Sequence, residues 1–234
     1  MAITYHAPRQ VASGRRSRAD KIHTDVIMDD GTSIRTTVTN SGYLVECFLK
    51  EVQQRFHEEV QAAEPQDADV QHCLIVGLDT EWRQISHKGR RAKSFQIALL
   101  QLCVGDRCLV FQIFNADYVP HQLAEFLANP DHCFVAVGVG GDEQRLREDC
   151  GIEVAYTMDL PEVAADVLHR PKLRQSGLKT LAREVMGALI DKPKRVTLSD
   201  WSSEHLTWEQ VRYACIDAFV SFDVGRRLLC NHGV

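Results

Sequence analysis

Residues 73–81 read Cys73-Leu74-Ile75-Val76-Gly77-Leu78-Asp79-Thr80-Glu81, an unbroken apolar run that ends in two acids. Such a run predicts a strand that is buried on both faces, as in the sheet of an α/β protein. Side chains two residues apart on a strand point to the same face, so both carboxylates can reach one cation. An unpaired charge beside a buried strand is costly, which favours a bound cation here. A solvated strand end is the alternative interpretation.

Strand and helix patterns continue on both sides of this run. Upstream, residues 24–28 and 33–39 flank an Asp29-Asp30-Gly31 turn and predict a β-hairpin. A helix is expected over about 41–56, followed by a polar connector near 58–71. Downstream, the patterns predict a mixed α/β sheet with helices gathered towards the C-terminus. The expected strands there are 94–104, 107–114 and 133–137, and the expected helices are about 120–128, 138–150, 161–169, 177–189 and 207–231.

The bulk composition suits one domain with a sizeable core, since 44% of the 234 residues are hydrophobic and 25% are charged. The net charge of −5 argues against a generally cationic nucleic-acid binder, so local basic patches would have to hold any strand. Eight cysteines without a CxxC pair favour buried, reduced thiols of an intracellular protein over zinc or disulfide sites. Neither a membrane span nor a secretory signal is expected. Residues 1–21 predict a disordered basic tail, and 22–234 predict a single domain.

Two further acids occur where side chains can converge on the first pair. Asp142 follows the predicted strand at 133–137 and a glycine-rich turn, near the start of a helix. The alternative for this residue is a helix-terminal acid that the helix dipole favours. Tyr213 and Asp217 lie four residues apart on a predicted helix, so their side chains share one face. That face is otherwise apolar and directs Asp217 towards the core or a cleft, although a purely structural pair remains an alternative.

Taken together, Asp79, Glu81, Asp142 and Asp217 can form a site with oxygen ligands alone. Carboxylates without His or Cys select hard cations, Mg²⁺ or Mn²⁺, over zinc. Two such ions clamp the attacking and leaving oxygens of a phosphoryl displacement, and several carboxylates are needed to balance their charge. The pattern therefore predicts metal-dependent phosphodiester chemistry.

Three segments resemble the exonuclease motifs of the DEDDy branch of the DnaQ-like, RNase H-fold superfamily: 78–82 (LDTEW), 138–142 (GVGGD) and 213–217 (YACID). Residues 98–103, 177–182, 199–201 and 206–207 fit the same family, so the resemblance covers about 22–230. The chain is similar to the Werner syndrome exonuclease domain and, more closely, to small stand-alone plant exonucleases, the RISC-interacting clearing exoribonucleases. The sister branch has a His five residues before its last Asp, where this chain has Arg212, so Tyr213 indicates the tyrosine branch.

The resemblance implies an RNase H-like fold, a mixed five-stranded sheet flanked by helices, with the N-terminal β-hairpin as an extension. It implies 3′-5′ exonuclease activity on single strands, two Mg²⁺ or Mn²⁺ ions, and nucleoside 5′-monophosphates as products. On this basis Asp79, Glu81 and Asp217 bind the metal that activates water. Asp79 also touches the second metal, to which Asp142 contributes through water, and Tyr213 orients the attacking water. All five motif residues are present.

Nine residues near these motifs are candidates for holding the strand: Thr80, Trp82, Lys88, Arg90, Arg91, Lys93, Phe95, Gln96 and Leu99. The four cations could grip phosphates upstream of the cleaved bond, or form a solvated loop. Trp82 could stack on a base or pack in the core, and the last three residues could line a pocket for the terminal nucleotide. The segment Lys192-Pro193-Lys194-Arg195 allows three interpretations: a phosphate contact, a nuclear-localisation signal or a polar loop.

Two other functions stay open from the sequence. One is a catalytically silent scaffold or adaptor in a nucleic-acid-processing complex, against which the complete acid set argues. The other is an RNase H-type endonuclease, against which the Tyr213–Asp217 spacing argues. The likeness to the small plant exonucleases favours RNA over DNA, a ring-shaped homo-oligomer, and partners from RNA silencing or DNA repair. The expected location is the cytoplasm, the nucleus or both.

Overall fold

The computed structural model describes residues 21–62, 73–85 and 94–230. The predicted tail at 1–21 lies outside the described residues except for Lys21, which begins the first strand. The strands are β1 Lys21–Ile27, β2 Ser33–Thr39, β3 Leu74–Ile85, β4 Ser94–Val104, β5 Arg107–Phe111, β6 His132–Ala136 and β7 Thr157–Asp159. The helices are α1 Gly42–Ala62, α2 His121–Leu127, α3 Val139–Arg145, α4 Leu160–Val167, α5 Leu178–Leu181, α6 Lys194–Thr197 and α7 Trp208–Cys230.

All seven strands form one mixed sheet in the order β1-β2-β5-β4-β3-β6-β7. Strands β5, β4 and β3 are antiparallel neighbours, whereas β6 and β7 continue from β3 in parallel. This five-stranded part is the predicted RNase H-like sheet. The predicted hairpin is β1–β2, and it extends the same sheet because β2 pairs in parallel with β5. Strand β3, which carries the first acid pair, therefore lies deep inside the sheet.

The hairpin forms because its turn residues suit the conformation. Gly31 has φ of +88°, a left-handed conformation that glycine adopts without steric cost. The side chain of Asp30 accepts a hydrogen bond from the backbone N–H of Thr32 at 2.9 Å. Beyond the turn, Ile34, Thr36 and Val38 alternate inwards and are buried. The period-2 pattern of the sequence thus places one face of β2 on the core.

Each face of the sheet carries its own apolar layer. On one face, helices α4, α5 and α7 pack through residues such as Leu160, Leu181 and Val220. On the other face, α1 and α2 pack through residues such as Phe48 and Leu123. The apolar stripe of α1 is buried at Val45, Phe48, Leu49 and Val52. Of the helices in the described ranges, none combines the length and apolar character needed to cross a membrane.

Several element boundaries differ from the expectations. Strand β3 does not end before Asp79 but continues to Ile85, because β4 pairs with it as far as Ser94. Helix α1 runs to Ala62 rather than to about residue 56. The short strand β7 and the one-turn helix α6 had no recognisable pattern. The eight cysteines are free thiols, but Cys47 and Cys230 are exposed rather than buried.

Candidate active site

Asp79 and Glu81 lie on β3 with their side chains on the face that α7 covers. A close backbone contact brings the strand and the helix together at Gly77. A Cβ atom at this position would lie 2.1 Å from the carbonyl oxygen of Ala218, so a glycine is needed there. As a result, one carboxylate oxygen from each of Asp79, Glu81 and Asp217 lies within 4.8 Å of the other two. We call these three residues the carboxylate cluster.

A β-bulge lies beside the cluster. Glu81 pairs with Leu99 across the β3–β4 ladder, but the next residue, Trp82, pairs with Ile97, which leaves Ala98 as the extra residue on β4. Bulges twist a strand locally and redirect its side chains, and they are common next to active sites. The bulge separates the buried half of β3, which ends with the cluster, from an outer half whose residues are partly exposed.

Helix α7 is positioned by its cap as well as by its apolar face. Thr207 accepts a hydrogen bond from the backbone N–H of Gln210, and the side chain of Gln210 accepts one from the backbone N–H of Thr207. This reciprocal pair is a capping box, in which Thr207 is the N-cap of α7. The amide of Gln210 also donates to the carbonyl of Asp200, which ties the preceding loop to the helix. The capping box and the contact with the preceding loop therefore both fix the start of α7, which carries Tyr213 and Asp217.

Burial raises the pKa of every carboxyl in the cluster, and repulsion from the other acids adds to the shifts of Asp79 and Glu81. For Asp79 burial is the largest cause, followed by the charges of Asp217 and Glu81, and its pKa lies well above its usual value. Burial, and then Asp217, raise the pKa of Glu81 to about 8. Burial also raises the pKa of Asp217, although Lys192 opposes this shift. Three acids that resist ionisation together make a site that a divalent cation stabilises.

Lys192 is the cation that the structure places at the cluster. Its Nζ lies 2.7 Å from Oδ2 of Asp217, whose side chain is only 3% exposed. The ammonium also lies 5.3 Å from the ring centre of Tyr213. Burial lowers the pKa of Lys192, but the charge and hydrogen bond of Asp217 outweigh it, so the net shift is upward. From residue patterns alone this stretch is only a basic segment, and no local signal separates Lys192 from its neighbours.

Tyr213 lies one helical turn before Asp217, as its spacing predicted. Burial, and then the charge of Asp217, raise the pKa of Tyr213 to about 12. Its hydroxyl helps to hold the Asp217 carboxylate in the ionised form. Trp201 packs against the phenol ring, with 5.8 Å between ring centres. The phenol is thus a neutral, fixed hydroxyl beside the cluster.

Asp142 is close to the cluster but is not part of it. Gly138, with φ of +74°, is the N-cap of α3, which follows β6 and presents Asp142 in its first turn. Thr80 donates a hydrogen bond of 2.5 Å to Oδ1 of Asp142, and Trp82 Nε1 donates to the same Thr80 hydroxyl. Burial raises the pKa of Asp142 to about 7. The charge of Asp142 still contributes to the raised pKa of Glu81, so the two acids repel each other electrostatically.

The structure assigns different surroundings to the candidate strand-binding residues. Trp82 and Phe95 are exposed aromatic side chains whose ring centres lie 6.4 Å apart. Gln96 accepts a hydrogen bond from Arg83. Leu99 is completely buried, so its prediction as a pocket residue is wrong: it lies opposite Glu81 in the core under α7. Lys88, Arg90, Arg91 and Lys93 lie outside the described residues.

Arg145 was missed at the sequence level. Its guanidinium lies 5.6 Å from the ring centre of Trp82 and donates a hydrogen bond to the carbonyl of Phe95. A cation, an indole and a phenyl ring thus share the exposed outer half of β3 and β4. Stacking on aromatic rings and contact with arginine are both common in single-strand binding. Arg145 carried no signal in the sequence, because only the fold places α3 beside this strand pair.

The donor set of the cluster fits a hard divalent cation. All three side chains offer carboxylate oxygens, and neither His nor Cys belongs to the group. Gln101 pairs directly with Asp79 across the β3–β4 ladder, so its side chain points to the same face of the sheet. Gln101 is completely buried, and among the described residues neither its amide nitrogen nor its amide oxygen has a hydrogen-bond partner. Buried polar atoms of this kind indicate that the site takes up further polar groups.

Comparisons with known proteins find similarity to 3′-5′ exonucleases. Residues 49–229 match the family model described as 3′-5′ exonuclease. Similar curated proteins include the mouse bifunctional 3′-5′ exonuclease/ATP-dependent helicase WRN, at 31% identity over 66% of this chain and 11% of its own length. They also include an Arabidopsis thaliana 3′-5′ exonuclease, at 30% identity over 66% of this chain and 52% of its own length. The chain thus spans about half of the second relative and far less of the first.

Solved structures support the fold. Escherichia coli RNase D superposes with a TM-score of 0.57 at 21% identity, covering 71% of this chain and 42% of its own. The catalytic core of RRP6 from Trypanosoma brucei gives a TM-score of 0.62 at 16% identity, covering 89% of this chain and 51% of its own. At these identities the likeness concerns the fold alone. Because the family model matches most of its length, the chain belongs to the 3′-5′ exonuclease family.

Proposed function

We propose that this chain is a divalent-metal-dependent exonuclease that removes nucleotides one by one from the 3′ end of a single strand, with RNA preferred over DNA. One observation carries the proposal: Asp79 and Glu81 of β3 and Asp217 of α7 place their carboxylates within 4.8 Å of one another. All three residues lie within 49–229, the part of the chain that matches the 3′-5′ exonuclease family model. The products in this proposal are nucleoside 5′-monophosphates.

Asp79, Glu81 and Asp217 are the residues that would hold Mg²⁺ or Mn²⁺, and Asp142 would support a second ion through water. Bound there, the ions supply Lewis-acid polarisation of the phosphate and of the attacking water. The raised pKa values of the cluster support this assignment, because carboxyls that are reluctant to ionise together gain most from a nearby cation.

Tyr213 orients the nucleophile in this proposal and does not act as a base. With a pKa near 12, the phenol stays protonated at neutral pH. Its hydroxyl is fixed next to Asp217 by the packing of Trp201 and by the capped start of α7. A fixed donor of this kind can hold a water molecule in line with the phosphorus without changing its own charge.

Trp82, Phe95 and Arg145 would hold the strand on the outer half of the β3–β4 pair. Both rings are exposed, and the cation lies against the indole. The preference for RNA rests on the resemblance to the small plant exonucleases, as do a ring-shaped homo-oligomer, partners from RNA silencing or DNA repair, and a location in the cytoplasm or nucleus.

The test uses RNA and DNA strands of one sequence, each labelled at the 5′ end, with Mn²⁺ and with EDTA. The wild-type protein is expected to give a ladder of shortened, still-labelled strands in Mn²⁺ only, with RNA cut faster. Asp79→Asn is expected to lower the rate at least about 10³-fold, because several kcal/mol of charge stabilisation are lost. Lys50→Met, on the opposite face of the sheet, is the matched control.

Circular strands of the same sequence separate the competing functions. An exonuclease leaves the circles intact, whereas cleavage of the circles would establish an endonuclease. If the wild-type protein cuts neither form but retains strand binding, the chain is a silent scaffold. Release of labelled mononucleotide from the 5′ end would contradict the proposed direction.

A further inference from the structure

The carboxylate cluster already contains a cation supplied by the chain. Lys192 Nζ lies 2.7 Å from Asp217, and its charge is also felt by Asp79 and Glu81. One ammonium therefore faces three carboxylates within 4.8 Å of one another. A single positive charge cannot neutralise three carboxylates. A further cation can therefore bind to the cluster, but Oδ2 of Asp217 is already taken by Lys192.

The position of Lys192 is built into the fold. Its flanking residues Ile190 and Val196 are buried, so the loop is anchored on both sides. The side chain of Lys192 is 32% exposed, and its charged end lies over the ring of Tyr213. The long aliphatic stem can therefore move its ammonium by a few ångströms while the backbone stays fixed.

The two neighbouring cations are differently placed. Arg195 donates a hydrogen bond of 2.6 Å to Glu209 on the surface of the molecule. Lys194 is exposed on α6. Of the three basic residues in this segment, Lys192 is the one that enters the cluster, so the segment is not a uniform basic patch.

An incoming divalent ion and the ammonium of Lys192 compete for the same carboxylate. Oxygen ligands bind such ions at about 2.0–2.6 Å, so an ammonium still hydrogen-bonded to the same oxygen would lie at most about 5 Å from the ion. Two cations so close repel each other strongly in a partly buried site. The ammonium must therefore leave Oδ2 of Asp217 when that atom binds a metal.

We infer that Lys192 is the resident counter-ion of the metal-free site, that metal binding displaces it from Asp217, and that the freed ammonium then contacts the phosphate of the bond to be cleaved. This inference rests on the proposed function, because it needs a metal and a phosphodiester at the cluster. The phosphate is the anion that arrives with the substrate, and Lys192 is a cation of the chain already beside the cluster. Lys192 thus keeps the acids together before the metal binds and neutralises the phosphate afterwards.

The inference predicts opposite effects of one substitution on two measurements. Lys192→Met removes the competitor, so Mn²⁺ is expected to bind about 5–100-fold more tightly. At saturating Mn²⁺ the same variant is expected to cleave about 10²-fold more slowly, because one phosphate contact is lost. Metal binding is measured by calorimetry at pH 8.5 in deoxygenated buffer, where protons compete least for the carboxylates. Lys50→Met is the control and is expected to change neither quantity.

Thermal unfolding distinguishes this role from a purely structural one. Lys192→Met is expected to lower the melting temperature of the metal-free protein but not that of the Mn²⁺-saturated protein, whereas a structural lysine would matter in both states. Lys192→Gln serves as a second variant if Lys192→Met fails to fold. Mn²⁺ affinity that is unchanged or weaker in both variants, or full activity at saturating Mn²⁺, would overturn the inference. If the wild-type protein shows no Mn²⁺ binding that Asp79→Asn abolishes, the proposed function itself fails.

Discussion

The hydroxyl of Tyr213 is the part of this residue that the proposed chemistry uses, because the ring itself packs against Trp201. Tyr213→Phe keeps the ring and removes the hydroxyl. We expect the turnover rate to fall about 10²-fold, in the usual range for a group that positions a proton or a water molecule. The melting temperature and the KM are expected to change little. Steady-state kinetics at saturating Mn²⁺ check this, and an unchanged turnover rate would contradict the role.

Glu81 links the stability of the metal-free protein to pH. Burial, followed by repulsion from Asp217, raises its pKa from 4.5 to about 8 in the folded state. The folded state therefore binds more protons than the unfolded state between these two values, so the free energy of unfolding decreases as pH rises. The stabilising contribution is complete below about pH 4.5 and is lost as pH rises through about 8.

We expect the free energy of unfolding of the metal-free protein to fall by roughly 2–3 kcal/mol between pH 5 and pH 8.5, less than the full shift of Glu81 because the cluster shares its protons. Denaturant titrations with EDTA measure this quantity. Glu81→Gln is expected to flatten the profile, and saturating Mn²⁺ to reverse it, because the metal replaces the protons. A metal-free protein that becomes more stable over this range would show that the cluster ionises freely.

Strand β3 and helix α7 meet at Gly77, and this contact determines whether the cluster can form. The Cβ of Gly77→Ala would lie 2.1 Å from the carbonyl of Ala218 and 2.6 Å from the backbone nitrogen of Phe222. Both neighbours are backbone atoms, so the helix must move as a unit. We expect a loss of about 2–4 kcal/mol of stability and a larger distance between Asp79 and Asp217.

Gly140→Ala is the control for this substitution, because a Cβ at Gly140 would have no heavy atom within 4 Å. A glycine-to-alanine change in a helix stabilises by about 0.5–1 kcal/mol where space allows. Denaturant titrations of both variants, with and without Mn²⁺, give the comparison. Equal stability of the two variants would mean that α7 can shift without cost, and that the cluster does not depend on this contact.

At the scale of the whole molecule, much of the architecture could be predicted from residue patterns. The apolar run before Asp79, the turn at Gly31 and the alternation in β2 predicted three strands, because strand burial leaves a direct pattern in the sequence. The family motifs placed Asp79, Glu81 and Asp217 in one site, and the structure brings them together.

Other features could not be predicted because they depend on neighbours that are distant in sequence. Strand β7 has three partly exposed residues, and only its pairing with β6 defines it. Leu99 looked like a pocket residue because it follows Phe95 and Gln96, but the bulge and α7 bury it. The approach of Lys192 to Asp217 spans 25 positions of sequence, and no local pattern records it. The charge interactions of such a site can be assessed only when the three-dimensional structure is known.

We propose that Asp79, Glu81 and Asp217 together hold a hard divalent cation. Crystals soaked in Mn²⁺ test it most directly through the anomalous scattering of the metal. We expect an anomalous peak about 2.0–2.6 Å from carboxylate oxygens of these three residues, and its loss in Asp217→Asn crystals treated in the same way. A Mn²⁺ peak bound by other residues, or a peak that persists unchanged in Asp217→Asn, would contradict the account.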